Sequence, residues 1–331
     1  MSCTLSVLKA LAGNFGYMKK SVLRAGIGLT VVAAMLQVLP AATAGELSRV
    51  VAWGDINYDL TNNFAQGGTA VAGIAAGDFH SAVLQRNGSV VIWGDDRFGQ
   101  DELPSILTQH PAVKIAAGNV HNLALMGNGA VVAWGGSSDV YGTYGQGKVP
   151  DGLKKVKAIN AGAVHNLALQ RDGTIVAWGF DGYGQCDVPT GLDNVSAVAG
   201  GMYHSLALKR DGTVIAWGGN NHGQSSVPAG LNHVLAIAAG GFHSVALKKD
   251  GTVVAWGTYG LVQCDVPAGL SNVVAIATAD YHSLALRRDG TVVAWGLNGA
   301  GQCNVPPGLA NVKAISARGN HSMVLIKSKA K

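Results

Sequence analysis

The chain has 331 residues, 48% hydrophobic and 13% charged, with 47 glycines and 9 prolines. That is too apolar and too patterned for disorder, and long enough to bury a large core. The formal charge of +5 is no sign of nucleic-acid binding, because Lys9, Lys19, Lys20 and Arg24 lie in the first 44 residues, which hold no acid, and the rest balances to +1.

The first predicted element is an export signal. Met18 opens "MKKSVLRAGIGLTVVAAMLQVLPAATAGE": Lys19, Lys20 and Arg24, an apolar run from Ala25 to Leu39, then the small-x-small pattern Ala42-Thr43-Ala44. Residues 1–17 read as an upstream extension, 18–44 as a cleaved signal peptide and 45–331 as one propeller domain. The apolar run is short for a membrane span, so no stable span is expected after cleavage. The residue directly after the cleavage site is Gly45, not a cysteine that could carry a lipid. The mature protein is expected in the periplasm or outside a bacterial cell.

From Arg49 onward one sentence repeats. Trp53, Trp93, Trp134, Trp178, Trp217, Trp256 and Trp295 each precede a glycine, at spacings of 40, 41, 44, 39, 39 and 39. A second register gives His80, His121, His165, His204, His243, His282 and His321, each followed by Ser or Asn. Within a unit the apolar pattern falls into four pieces, as in "VLAIAAG", "HSVALK", "TVVAWG" and "QCDVP", with an Asp-Gly hairpin between the second and third. Strands two and three are apolar on both faces, so each sheet must be covered on both sides. Units of about 40 residues stacked this way make a β-propeller. The small first strand, rich in Ala-Ala-Gly, suits the crowded wall of a central channel. The first unit opens with only a third strand (49–54) and the last stops after its second (321–327). Fold class is therefore all-β: a seven-bladed β-propeller of four-stranded blades, closed by pairing of 49–54 with 321–327.

The repeated residues read as structural. One tryptophan per blade at a strand end is packing. Seven symmetry-related imidazoles cannot converge on one ion, so each histidine is assigned a buried backbone hydrogen bond, and neither a metal nor a cofactor is expected. Asp172, Asp211, Asp250 and Asp289 precede turn glycines. Cys186, Cys264 and Cys303 recur at one repeat position and are read as small buried hydrophobes rather than disulfide partners. No catalytic motif stands above the repeat.

The repeat "GxxHSLALxxDGTVxAWGxNxxGQ" resembles that of the regulator-of-chromosome-condensation family, over residues 49–327. Linkers such as "GQSSVP" (223–228) and "GQCDVPAGLSNV" are similar to those of a secreted bacterial branch that includes a beta-lactamase inhibitor. The resemblance implies a seven-bladed propeller and, for that branch, loop aromatics of one face that contact an enzyme; Phe79, Tyr203, Phe242 and Tyr281 occupy similar positions. Val120, Val164 and Asn320 depart from that surface. Spacings of at most 44 residues leave no room for the inserted wedge by which the chromosome regulators act as nucleotide exchange factors.

An alternating meander sends the "GxxH" loops and the loops after Trp-Gly to one face. All twelve Phe and Tyr of residues 45–331 fall there. Phe79, Tyr203, Phe242 and Tyr281 precede the histidine, whereas Tyr58, Phe64, Phe98, Tyr141, Tyr144, Phe180, Tyr183 and Tyr259 lie in the longer loops. The opposite face carries hairpin cations such as Arg171, Arg210 and Lys249. A face rich in Tyr and Phe has the composition of a protein-binding site. The expectation is an exported, monomeric, non-enzymatic interaction module that binds a protein partner and no nucleic acid through Phe79, Tyr203, Phe242, Tyr281, Tyr58, Phe98, Tyr144, Phe180, Tyr183 and Tyr259. The alternative is an inhibitor of an extracytoplasmic enzyme such as a beta-lactamase. A polysaccharide-active enzyme would need paired carboxylates among Asp78, Asp95, Asp96 and Asp280.

Overall fold

A computed structural model of the chain describes residues 46–55, 57, 60, 70–136, 144–257 and 262–329. Its strands form seven antiparallel sheets, each of three strands. Blade 1 is β2 (Val71–Ala76), β3 (His80–Gln85) and β4 (Val90–Gly94); blade 2 is β5 (Ala112–Ala117), β6 (His121–Met126) and β7 (Val131–Gly135). Blade 3 is β8 (Val156–Ala161), β9 (His165–Gln170) and β10 (Ile175–Gly179); blade 4 is β11 (Val195–Gly200), β12 (His204–Lys209) and β13 (Val214–Gly218). Blade 5 is β14 (Val234–Ala239), β15 (Ser244–Lys248) and β16 (Val253–Trp256); blade 6 is β17 (Val273–Thr278), β18 (His282–Arg287) and β19 (Val292–Gly296). Blade 7 joins the two ends of the domain: β20 (Val312–Arg318) and β21 (His321–Lys329) pair with β1 (Glu46–Gly54).

Stacking follows from the pattern of the middle strands. In "HSAVLQ" of β3 and "HNLALM" of β6 every residue is buried, so both faces of the sheet are covered. The core is accordingly seven clusters, each shared by two neighbouring blades. Leu206 and Leu208 of blade 4 pack on Ile237 and Trp256 of blade 5. Val50 and Met323 of blade 7 pack on Ile74 and Val83 of blade 1, which closes the circle. Each fully buried Leu, Ile or Met contributes about 1.5–3 kcal/mol. The closing ladder runs from Glu46↔Lys329 to Gly54↔His321 in unbroken register, a few residues longer at its open end than the pattern indicated.

Two expectations need correction. Among the described residues, the fourth segment of a unit is not a ladder strand. In "GQCDVP" the chain coils, Asp187 N–H donating to Gly184 O and Val188 N–H to Cys186 O, and its closing proline has no N–H to give a partner. The segment is held by side chains, as described below. The hairpins also differ from the tight form expected. Gln170 N–H donates to Thr174 O and Gly173 N–H to Gln170 O, with positive φ at Gly173 alone (96°). This is a type I turn followed by a bulge glycine. Asp172 keeps an ordinary backbone and turns its carboxylate onto Thr174, accepting from the backbone N–H (2.9 Å) and the hydroxyl (2.7 Å). Finally, "ILTQ" (Ile106–Gln109) forms one short α-helix, α1, whose Leu107 covers the cluster between blades 1 and 2.

The first strands of all seven blades line a central channel. Its walls are mostly Ala and Ile, and its charged residues are Lys114 and Arg318.

Candidate functional site

Beneath the loop face lies a ring of hydrogen bonds. Each histidine sends Nε2 to the Ser or Asn that follows the histidine of the next blade: His80 to Asn122 (2.8 Å), His121 to Asn166 (2.8 Å), His165 to Ser205 (3.0 Å) and His204 to Ser244 (2.8 Å). His243 reaches Ser283 (2.9 Å), His282 reaches Ser322 (2.8 Å), and His321 closes the ring on Ser81 (3.0 Å). The backbone bond expected from the sequence is thus replaced by a side-chain bond between blades. Ser205 Oγ donates in turn to Gln185 O (2.8 Å), which also accepts from Trp217 Nε1 (2.9 Å). The same carbonyl role falls to Gln100, Gln146, Gln224 and Gln302. Repeat His, Ser/Asn, Trp and Gln form one device that pins the coiled segment after each such blade to the next blade.

Donor logic fixes the tautomer. Because the hydroxyl donates to Gln O, it accepts from the imidazole, so Nε2 carries the proton. Burial pushes the histidines down, to about 4 at His80, His121 and His243 and about 3 at His165, His204, His282 and His321. Trp53, Trp134, Trp178, Trp217, Trp256 and Trp295 are all buried; the segment corresponding to Gln185 for Trp93 falls in 61–69, outside the described residues.

The "GxxH" loops and the loops after Trp-Gly do share a face. Phe180 N–H donates to Val164 O, Gly219 N–H to Tyr203 O and Leu297 N–H to Tyr281 O. There the structure draws six predicted aromatics into one arc across blades 2 to 6. Tyr144 meets Phe180 (4.7 Å between ring centroids), Phe180 meets Tyr183 (6.1 Å), and Tyr183 meets Tyr203 (4.6 Å). Tyr203 then meets Phe242 (6.0 Å), which stacks on Tyr281 (6.0 Å). His222, which the sequence reading did not single out, joins edge-on at 4.9 Å from Phe242. A histidine in a "GNNHGQ" loop was legible only as loop. Tyr144 and Tyr183 are 45% and 48% exposed, among the most exposed large apolar side chains described.

Other predicted contact residues stand apart. Phe79, on blade 1, is separated from Tyr281 by blade 7, which carries Asn320 at that position. Phe98 is buried at 7% exposure, with Arg97 5.7 Å from its ring centroid, so it is packing rather than accessible surface. Tyr58 and Tyr259, with Phe64 and Tyr141, lie outside the described residues. The cysteines are partly exposed, not buried: Cys186 Sγ donates to Phe180 O (3.4 Å) and Cys303 Sγ to Leu297 O (3.3 Å). Ser225 does the same at its position, to Gly219 O (2.8 Å). Burial and nearby acids raise the Cys186 thiol to about 12, which leaves it unreactive.

At the loop end of β20 Arg318 lines the channel rim, and Asp78 and Asp280 flank it from the neighbouring blades without lining the channel themselves. Asp78, Asp280 and Arg318 come from blades 1, 6 and 7, and Arg318 Nε and Nη2 donate to Asn119 Oδ1 of blade 2 (3.3 and 3.1 Å). Burial, then the Asp280 charge, raises Asp78 to about 7; burial also raises Asp280, against the pull of Arg318. Asp95 is different: Arg97 clasps both its oxygens at 2.7–3.0 Å and holds its carboxyl down. Among the described residues no group of three or more His, Cys, Asp or Glu is placed to hold a metal, and no helix is long and apolar enough to cross a membrane.

Ring, arc and channel together define a closed seven-bladed repeat propeller. The repeat model for the regulator of chromosome condensation (RCC1) matches residues 71–100, 112–146, 156–185, 195–224, 229–258 and 273–302, more than half the chain. The chain belongs to that family. The composite blade 7, split between the two ends of the domain, is the one the segments leave out. No curated protein sequence matches. Solved structures with the same fold include Prp20p from Saccharomyces cerevisiae, described with its binding to Gsp1p and histones (18% identity, 87% of this chain and 93% of that one, TM-score 0.72). Yeast RCC1 (Prp20) bound to Kap60 matches at 19% identity over 95% of each chain, with a TM-score of 0.75. Human WBSCR16 matches at 19% identity over 85% of this chain and 99% of that one, with a TM-score of 0.69. At these identities the likeness is one of fold.

Proposed function

We propose that this chain is an exported protein-binding propeller, similar to the secreted bacterial branch of its family, which acts as a monomer and grips a partner protein with the aromatic arc of its loop face. One observation carries the reading: Tyr144, Phe180, Tyr183, Tyr203, Phe242 and Tyr281 touch in sequence, and the arc's outer rings are about half exposed. Rigid, mutually supported aromatics with two rotatable side-chain bonds are the residues that carry binding energy at protein interfaces. Two of the fold's solved neighbours are described with protein partners. The "MKK…AATAGE" leader supports export.

The narrower form of this reading is inhibition of an extracytoplasmic enzyme, supported by the "GQSSVP"-type linkers. Affinity capture from an extracytoplasmic fraction tests the broader form, with wild type beside Tyr144→Ala/Tyr183→Ala. A partner retained by the first and lost by the second is expected; equal capture by both removes the arc from the account. Titration against purified beta-lactamases tests the narrower form.

A further inference from the structure

The repeat tolerates almost nothing three residues before its histidine. Blades 1 to 5 have glycine there, and a Cβ built on Gly77 or Gly201 would fall 2.2 or 2.4 Å from Cε1 of the blade's own histidine. Blade 6 has Ala279. Blade 7 has Arg318, the largest departure from the pattern at any position of the ring. Where a sequence breaks its own local rule, function is the usual compensation.

Arg318 is only 6% exposed and lines the channel. Both of its hydrogen bonds go to one neutral acceptor, Asn119 Oδ1. Arg97, Lys209 and Lys248 each reach a carboxylate, whereas no described carboxylate makes an ion pair with Arg318. A buried guanidinium without a contacting carboxylate is costly unless something else completes its shell. Asp280, 8% exposed, and Asp78 flank it from the adjacent blades and feel its charge without reaching it. Asp78 Oδ1 lies across Gly319 of the arginine's own loop, where a Cβ would come within 2.0 Å. Tyr203 of the aromatic arc lies within the field of Asp280.

This rim discriminates by charge. A simple anion drawn to Arg318 meets two carboxylates, and a cation drawn to the carboxylates meets Arg318. A neutral molecule with donors and acceptors on adjacent atoms satisfies both, as a vicinal diol does, since each hydroxyl both donates and accepts. Tyr281 directly follows Asp280 in the chain, and its ring, stacked on Phe242, suits the C–H face of a pyranose.

We propose that the channel mouth is a binding site for a neutral saccharide, whose hydroxyls accept from the Arg318 guanidinium and donate to Asp280 and Asp78 while a sugar face lies against the inner edge of the aromatic arc. The site shares Tyr281 with the protein-binding arc, but it is tested through Arg318 and Asp280, which that reading does not use, so the two can fail separately.

The test borrows residues from other blades, which protects the fold. Arg318→Gly copies blades 1 to 5, Asp280→Asn copies Asn119 of blade 2, and thermal unfolding checks each variant. Saturation-transfer NMR and calorimetry on the full chain would use glucose, galactose, N-acetylglucosamine and their β-linked disaccharides, with sorbitol and alanine as acyclic and zwitterionic probes. At least one pyranose is expected to bind, sorbitol more weakly, and each variant to weaken binding by about tenfold or more, the loss of a charge-assisted hydrogen bond. The proposal is overturned if no sugar transfers saturation, if alanine binds in its place, or if both folded variants bind sugar as wild type does.

Discussion

One residue separates two layers of this molecule that obey opposite rules. At the ring position all seven blades carry histidine, each fully buried and each bonded to the next blade. One residue earlier the blades carry Phe79, Val120, Val164, Tyr203, Phe242, Tyr281 and Asn320. The ring position is enclosed by two blades, so its partners dictate the side chain. The position before it borders the loop face, where blades 2 and 3 bury Val120 and Val164 but the other five leave their residue partly or largely exposed. Symmetry therefore measures what packing demands, and departures from it show where the surface is free to recognise something.

The largest effect expected within the symmetric layer comes from its tryptophans. Trp217→Ala removes a buried indole and its bond to Gln185 O, and a loss of about 3–5 kcal/mol is expected in denaturant unfolding. Acid should attack the same layer at seven points. A histidine held near 4 when folded binds fewer protons than the unfolded chain between pH 6.5 and 4, so stability is full above that window and falls as pH drops through it. One such group corresponds to about 3 kcal/mol, so two or three suffice to exhaust a typical stability of about 5–15 kcal/mol. Asp78, raised to about 7, works in the opposite direction, favouring the folded state as pH falls from 7 toward 4; one carboxyl does not offset seven imidazoles. Circular dichroism against pH should show cooperative unfolding starting below about pH 6.

Smaller effects sharpen the contrast. Ser244→Ala strips the acceptor from His204 Nε2–H and one donor from Gln224 O, for an expected loss of about 1–3 kcal/mol. Cys186→Ser is expected to change stability by less than about 1 kcal/mol, because Ser225 already makes that contact in blade 4.

Most of the architecture was legible because one pattern was written seven times. Trp-Gly and His-Ser registers gave the blade count, and the partial units at the two ends gave the closing pair β1–β21. The fourth strand was not legible: "QCDVP" alternates like a strand, but turn bonds and the terminal proline take it out of the ladder. The histidine partners were missed for another reason. Ser205 and His165 are 40 residues apart, and only the rotation from blade to blade brings them together. Among the aromatics, composition placed all on one face, whereas contact depends on loop path, which put Phe98 inward and joined Tyr144 to Phe180. Arg318 was hidden because a glycine position matters only once the histidine ring beside it is seen.

The claim that the two layers have separate duties is tested most directly by comparing thermal unfolding of Tyr144→Ala/Tyr183→Ala with that of Trp217→Ala. The account predicts a double variant that melts within a few degrees of wild type while Trp217→Ala loses about 6–20 °C, from about 3–5 kcal/mol at about 2–4 °C per kcal/mol. A double variant that melts as low as Trp217→Ala would mean that the arc, like the ring, is there to hold the blades together.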